Sequence, residues 1–453
     1  MFEFSQKTNL FERRAPDYIL NDVPDPELFR DLFSYKQVPK AAFNHRTVPL
    51  GMPDEIWITD TTFRDGQQSI APYTADQIVT IYDYLHRLSG PKGIIRQSEF
   101  FLYTKKDREA VERCLARGYA FPEVTSWIRA SKDDFALVRA MGLKETGILV
   151  SCSDYHIFLK MKMTRKQAIE HYLKIVRDCI EHGIRPRCHF EDITRADVYG
   201  FVIPFAMELM ALMQETGVPI KIRACDTMGY GISYPGASLP RCVQGLIYGL
   251  SHYANVPAEL IEWHGHNDFY RAVSNASYAW LYGASAVNCS FLGVGERTGN
   301  TPLEAMVFEY AQFRGTFDGM DTTAITDLAE YYEKELNFEI PPMTPFVGRN
   351  FNVTKAGIHA DGILKDEEIY NIFDTDALLN RPPLIAVSNT SGTAGIAHWI
   401  NSFYRLKGED AYDKRHPVVE KMKQCVDTQY DEGRTTIMSD GELKELFEAF
   451  MAE

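Results

Sequence analysis

The chain has 453 residues, 45% of them apolar and 24% charged, an ordinary globular balance with room for one large domain and a smaller one. Lys and Arg number 48 against 62 Asp and Glu, a net charge of −14, and no basic run is interleaved with aromatic residues, which argues against nucleic acid as a partner. Met1 to Asn21 carries no basic segment followed by an apolar one, and no run approaches about 18 apolar residues, so no leader or membrane association is expected and the compartment expected is the cytoplasm.

Residues 1–50 are rich in prolines and charges with modest helical signal, and are expected to form an extension packed on the main domain or on a neighbouring subunit. From there, short apolar β-branched runs recur at Ile56 to Thr59, Ile94 to Phe100, Phe121 to Thr125, Gly147 to Ser151, Arg187 to Phe190, Ile220 to Ala224, Leu260 to His264 and Ala286 to Leu292. Helical periodicity fills the gaps, with Ile78, Ile81, Tyr82, Leu85 and Leu88 after the first strand and Ile169, Tyr172, Leu173, Val176 and Ile180 after the fourth. Strands alternating with helices imply right-handed crossovers, and eight such units close a parallel (β/α)₈ TIM barrel, here over 51–315. From about Thr316 the rhythm is lost. Helical patches at Thr323 to Leu336 and Ala394 to Tyr404 between Pro and Gly segments predict a mostly helical region over 316–453, a lid or dimerisation region. Eight cysteines are scattered without a Cys-x-x-Cys, against a structural zinc site or redox pair, and read as small core residues kept as thiols in a reducing compartment.

Polar clusters fall at the C-terminal strand ends, where barrel chemistry gathers. Arg64 and Asp65 follow the first strand, Glu99 ends the second, Glu191 and Asp192 follow the fifth, and Asp226 and Thr227 the sixth. His264 and His266 end the seventh, where alternation aims both imidazoles one way. A strand histidine is often only a hydrogen-bonded core residue, but Asp65 and Asn300 at two further strand ends complete a set suited to a divalent cation with open positions. The spacing of Gly293 to Gly299 is not a dinucleotide fingerprint. Glu191 and Asp192, taken singly, read more readily as solvated loop carboxylates, with Arg195 and Arg223 as ion-pair partners, than as catalytic groups.

Asp60-Thr61-Thr62-Phe63-Arg64-Asp65-Gly66-Gln67-Gln68 and His264-Gly265-His266-Asn267-Asp268 resemble the two signatures of the DRE-TIM metallolyase superfamily, and Gly293 to Asn300 resembles the G-x-G-E-R-x-G-N segment of its Claisen-condensing branch. Ser153 to His156, Glu191 to Arg195, Asp226 to Gly229 and Gly357 to Gly362 follow in that family's order, so the resemblance spans about Asp54 to Ser391. It implies a metal-dependent acyltransferase acting on acetyl-CoA and a 2-oxo acid. Asp65, His264 and His266 would hold a divalent cation (Mn²⁺, Co²⁺, Mg²⁺ or Zn²⁺), with Asn300 a weaker or outer ligand. Arg64 would stabilise the developing oxyanion, Thr227 would hold the α-carboxylate, and His359, reaching the barrel of a partner in a homodimer that exchanges its lids, would take the methyl proton while Glu191 orients it. Gln68, Glu99, His156 and Arg223 are the further substrate contacts expected.

Departures from the common pattern bear on the substrate. Phe63 replaces a usual Leu, Glu99 to Thr104 replaces the usual E-x-G-F-P, and Ser388 to Thr393 lacks the usual basic residues. Phe100 in place of Gly is expected to shrink the pocket, and a spare arginine, Arg129 or Arg223, suits a small 2-oxo dicarboxylate. The chain also stops soon after the helical region, without the length of an appended regulatory domain, which favours a homocitrate-like group. The overall pattern looks most like the citrate (Re)-synthase group, which condenses oxaloacetate with acetyl-CoA; homocitrate, 2-isopropylmalate or citramalate synthesis is the alternative. A lyase of the HMG-CoA-lyase or aldolase type is a rival of another class, but related lyases carry a Cys-bearing glycine loop where this chain has Glu296 and Arg297.

Overall fold

The computed structural model describes residues 2–5, 10–13, 18–129, 132–354, 359, 362, 363 and 365–452. They form two compact units, Met1–Met320 and Asp321–Glu453.

In the first unit, Phe2–Ser5 (β1) and Leu10–Arg13 (β2) pair antiparallel, strands where the sequence carried only modest helical signal. The barrel strands are Trp57–Asp60 (β3), Ile95–Phe100 (β4), Glu123–Ile128 (β5), Glu145–Ser151 (β6), Arg185–Glu191 (β7), Lys221–Asp226 (β8), Ile261–Gly265 (β9) and Ala286–Cys289 (β10). Each lies within a few residues of the run read from sequence. They close in the order β10-β3-β4-β5-β6-β7-β8-β9, and every pair in the ring is parallel. Helices α1 (Ala75–Ser89), α2 (Lys105–Ala116), α3 (Lys132–Ala140), α4 (Arg165–Glu181), α5 (Ile203–Thr216), α6 (Val243–Tyr248), α7 (Ala272–Leu281) and α8 (Leu303–Arg314) follow the strands in turn. Thr74, Thr104 and Thr164 close capping boxes at the starts of α1, α2 and α4, so orphan N–H groups at the rim are satisfied locally. The apolar stripe of α1, from Ile78 to Leu88, is buried. The apolar run Val198–Thr216 is long enough by composition to cross a membrane, yet most of it is buried inside the fold as α5 and the turn before it.

The barrel centre is charged rather than apolar. Arg223 bonds Glu262 at 2.7 Å and Glu99 at 3.0 Å, and Arg187 bonds Glu145 at 3.0 Å, with all five side chains buried. Burial would raise Glu262, but Arg223 and Arg187 outweigh it and hold its carboxyl down at about 2. The same cations hold Glu99 well below the usual carboxylate range against its own burial. Removing one member of such a layer would strand an uncompensated buried charge, at a cost of about 3–5 kcal/mol.

Residues 18–50 run over the barrel as a largely irregular segment with a turn at 29–33: the Asn21 N–H donates to the Gly200 carbonyl at 2.9 Å, the Ser238 N–H to Ala42 at 2.9 Å, and, just beyond, the Gly51 N–H to Leu281 at 2.9 Å. All eight cysteines are free thiols, seven of them buried.

The second unit is mostly helical, with helices Thr323–Glu335, Thr375–Leu379, Thr393–Phe403, Pro417–Asp431 and Asp440–Met451 and a short parallel pair, Val353–Thr354 with Leu384–Ile385. Ile396, Trp399, Ile400, Val419, Met422, Val426 and Leu443 form a core of its own.

Glu304, at the start of α8, accepts the Leu292 N–H at 3.0 Å, and burial pushes its carboxyl up to about 7. The folded value lies above an unfolded value of about 4.3, so the unfolded chain releases this proton first and the group costs stability as pH rises between the two. Glu304→Gln keeps the acceptor oxygen and removes the titration. Denaturant midpoints measured at about pH 5 and about pH 8 should therefore fall less in the variant than in the parent. Equal falls would mean that Glu304 is ionised in the fold.

Candidate metal centre and active site

Because β10 lies between β9 and β3, closing the barrel sets the end of the first barrel strand near the end of the seventh. The chain turns sharply after β3, the Asp65 N–H donating to the Thr61 carbonyl at 2.8 Å, and this turn points Asp65 toward the histidines. One ligand atom each from Asp65, His264 and His266 falls within 4.8 Å of the others, and all three residues are buried. His264 Nε2 lies 3.5 Å and His266 Nε2 3.8 Å from Asp65 Oδ2, with the two Nε2 atoms 3.3 Å apart.

Neighbouring groups fix the chemical state of each donor. His264 Nδ1 lies 2.8 Å from Asn288 Oδ1, an acceptor, so Nδ1 carries the proton and the Nε2 lone pair faces the cluster. Asn288 is itself held by donating to Thr59 Oγ1 at 2.9 Å. Burial lowers both imidazoles, His266 to about 4, where His264 adds to the effect. Burial would raise Asp65, but Arg64, whose Nη1 is 2.6 Å from Oδ1, and then the two histidines hold it well below the usual carboxylate range. Asn300 donates from Nδ2 to Asp65 Oδ2 at 2.9 Å, while its own Oδ1 is buried with no hydrogen-bond partner. An anionic carboxylate, two neutral imidazoles and an orphaned amide oxygen are the donor set of a borderline divalent cation with positions left for substrate. The residues fit the ion.

Asn300 is carried by a tight loop. Gly299 has φ +87, and a Cβ there would lie 2.0 Å from the Gly293 carbonyl oxygen, so only glycine fits. Arg297 ties three rim loops together, bonding Asp268 through two nitrogens at 2.9 and 3.1 Å and the Thr227 carbonyl at 2.6 Å. Thr227 Oγ1 accepts the Asp192 N–H at 2.8 Å, which leaves its hydroxyl proton available apart from a long 3.5 Å approach to the Cys225 carbonyl. Glu191 takes the Ser151 hydroxyl and lies 3.1 Å from His156 Nδ1. Burial would raise Glu191, but His156 and Ser151 hold it down at about 2.

The expected site residues therefore separate. Arg64, Asp65, His264, His266 and Asn300 form one cluster, and Glu191, His156 and Thr227 a second group on the ends of β6, β7 and β8. Gln68 is exposed, on a short turn after Asp65. Glu99 and Arg223, expected to touch substrate, are instead bonded to each other in the buried layer one strand repeat below His264, with their donors and acceptors committed there. Phe100 is also corrected. Because Glu99 points inward, Phe100 points outward, where its ring stacks on Phe63 at 4.7 Å and meets Tyr82. The bulk beside Arg64 comes from Phe101 and Trp127, whose ring centroids lie 5.9 and 4.6 Å from its guanidinium carbon. Arg129 is exposed at the end of β5. His359 belongs to the second unit, exposed, with its ring 4.2 Å from that of Tyr370; of Gly357 to Gly362, residues 357, 358, 360 and 361 lie outside those described.

Sequence reasoning missed Asn288 and Trp127, and gave Phe101, inside the Glu99 to Thr104 run, no place beside Arg64. Only Asn288 carried a signal, as a polar residue inside an apolar strand in register with His264.

A model of the HMGL-like family matches residues 55–331, which covers the barrel and the segments Asp60 to Gln68 and His264 to Asp268. The chain belongs to the HMGL-like family. Among relatives, the protein named citrate (Re)-synthase of Clostridium kluyveri is 60% identical over 96% of this chain and 96% of its own length. The one of that name from Syntrophus aciditrophicus is 55% identical over 96% of this chain and 69% of its own length. The hydroxymethylglutaryl-CoA lyase structure from Pseudomonas aeruginosa superposes with TM-score 0.51 at 16% identity, covering 64% of this chain and 95% of that one, a likeness of HMGL-like fold alone.

Asn288→Ala frees the His264 tautomer without deleting a ligand. The dissociation constant for Mn²⁺, read by chelator competition, should rise about 10- to 100-fold. An unchanged constant would remove Asn288 from the support of the site.

Proposed function

We infer that the chain is an acyltransferase that condenses acetyl-CoA with oxaloacetate and water to give citrate and CoA. The observation that carries this reading is the convergence of Asp65, His264 and His266 beside Arg64 in a chain 60% identical along nearly its whole length to a protein named citrate (Re)-synthase.

Asp65, His264 and His266, with Asn300 as a weaker or outer ligand, would hold the divalent ion, for which Mn²⁺, Co²⁺, Mg²⁺ and Zn²⁺ are the candidates. When bound, the ion supplies Lewis-acid polarisation of the substrate ketone. Arg64, its guanidinium fixed between Asp65 and the Trp127 ring, presents positive charge where the ketone oxygen becomes an alkoxide, with no reorganisation needed at that moment. The Thr227 hydroxyl donates to the α-carboxylate, and His156, oriented by Glu191, donates beside it. Arg129, exposed at the rim, is the arginine left to meet the second carboxylate of a dicarboxylic acid, since Arg223 is committed to Glu99 and Glu262.

His359 removes a methyl proton from the thioester, a very weak acid that needs a positioned base. The carbanion attacks the ketone, water hydrolyses the resulting thioester, and CoA leaves as the thiol. The C-terminal region, 316–453, acts as lid and dimerisation region of a homodimer that exchanges lids. Eight unpaired thiols suit a reducing, cytoplasmic setting.

Thiol release from acetyl-CoA, measured with oxaloacetate, 2-oxoglutarate, 2-oxoisovalerate and pyruvate, should show the highest kcat/KM for oxaloacetate. A clear preference for another acid would move the chain to a neighbouring synthase activity. His359→Ala should abolish tritium exchange from the acetyl methyl group into water while 2-oxo acid binding persists; exchange at the parent rate would take His359 out of the base role.

A further inference from the structure

The functional reading leaves the N-terminal extension without a task, yet its residues 21–43 run along the segments that follow β6, β7 and β8, beside His156, Glu191 and Thr227. We propose that this strap is a positioning element of the 2-oxo acid subsite, holding His156 and Thr227 through Tyr155. The proposal rests on the functional reading above.

The strap is anchored by a buried charge. Arg165, with no exposed surface, bonds Asp154 through Nε at 3.0 Å and Nη2 at 2.8 Å, and its Nη1 donates both to Asp197 at 2.8 Å and to the Asn21 carbonyl at 2.9 Å. The Glu27 N–H donates to the same Asp154 carboxylate at 2.7 Å. Without the strap, a buried guanidinium would lose an acceptor and a buried carboxylate a donor, which fixes the strap in this place.

The next residue passes the strap's position to the site. The Tyr155 hydroxyl donates to the Leu28 carbonyl at 2.8 Å, and its ring meets two guanidinium carbons, Arg30 of the strap at 5.6 Å and Arg195 at 4.1 Å. Arg195 is gripped by Asp192, with Nε 2.9 Å from Oδ1 and Nη2 2.9 Å from Oδ2. Asp192 is buried and sits at φ +62, a left-handed conformation that a non-glycine residue keeps only when its surroundings enforce it. Its N–H holds Thr227 Oγ1 at 2.8 Å, and its Oδ2 lies 3.7 Å from His156 Nε2. Phe33 of the strap packs on Tyr230 with ring centroids 5.3 Å apart, covering the β8 loop that carries Thr227. The order of dependence runs from strap to Tyr155, to Arg195, to Asp192, and so to both groups assigned to the 2-oxo acid. A displacement of about 1 Å at such groups can cost about 100-fold in rate.

Tyr155→Phe removes the link to Leu28 and Arg30→Ala the cation on the ring, while both leave the Arg165 anchor intact. In each variant the KM for oxaloacetate should rise about ten-fold, with the KM for acetyl-CoA and the Mn²⁺ content after loading unchanged. A strap that only stabilised the fold would reduce the amount of active enzyme, lowering apparent kcat with both KM values unmoved; that result, or no change at all, overturns the proposal. If the parent enzyme fails with oxaloacetate, the functional reading fails instead, and the same KM comparison on the 2-oxo acid it does accept decides the strap.

Discussion

Three lone-pair donors, Asp65, His264 and His266, share one buried rim, and much of the barrel is arranged to keep them there. Left unpaired, a buried carboxylate takes up a proton and a buried imidazole sheds one. Here Arg64 keeps the carboxylate ionised, while burial keeps the imidazoles neutral, so all three stand ready as ligands. The parallel closure of β9, β10 and β3 supplies the distance, and Asn288 on the strand between supplies the orientation of His264.

Below that rim the barrel carries an unusual floor. Arg187, Arg223, Glu99, Glu145 and Glu262 form a charged layer where branched apolar side chains would ordinarily interdigitate. Apolar residues of similar volume could stabilise the centre at least as well. What the layer contributes is rigidity, because a fully satisfied buried network allows few alternative arrangements. A rigid floor one repeat below His264 limits how far the ligands can drift, and a site of this kind needs its donors held to about half an ångström.

The barrel was legible because its strands are apolar runs at regular intervals and its helices keep a 3.6 period, both local signals. The candidate metal cluster was legible because His264 and His266 stand two apart at a strand end and Asp65 at another, and the fold brings the three together. The pairing of Arg223 with Glu99 and Glu262 was not legible because each answers to partners on other strands, and nothing in the local sequence marks a pair formed across the barrel. Phe100 faces outward because the strand period, set by the inward Glu99, decides its side whatever its place in the motif. The extension carried no legible role because an irregular strap has no periodicity, and its contacts run through backbone groups such as the Leu28 carbonyl and the Glu27 N–H.

The central claim is that these three side chains ligate a divalent cation at the rim. X-ray absorption spectroscopy on the Mn²⁺-loaded protein tests it directly. The account predicts a shell of nitrogen and oxygen neighbours only, with the multiple scattering of about two imidazole rings, typical for histidine and carboxylate ligation. A shell of water oxygens without imidazole scattering, or one containing sulfur, would contradict it.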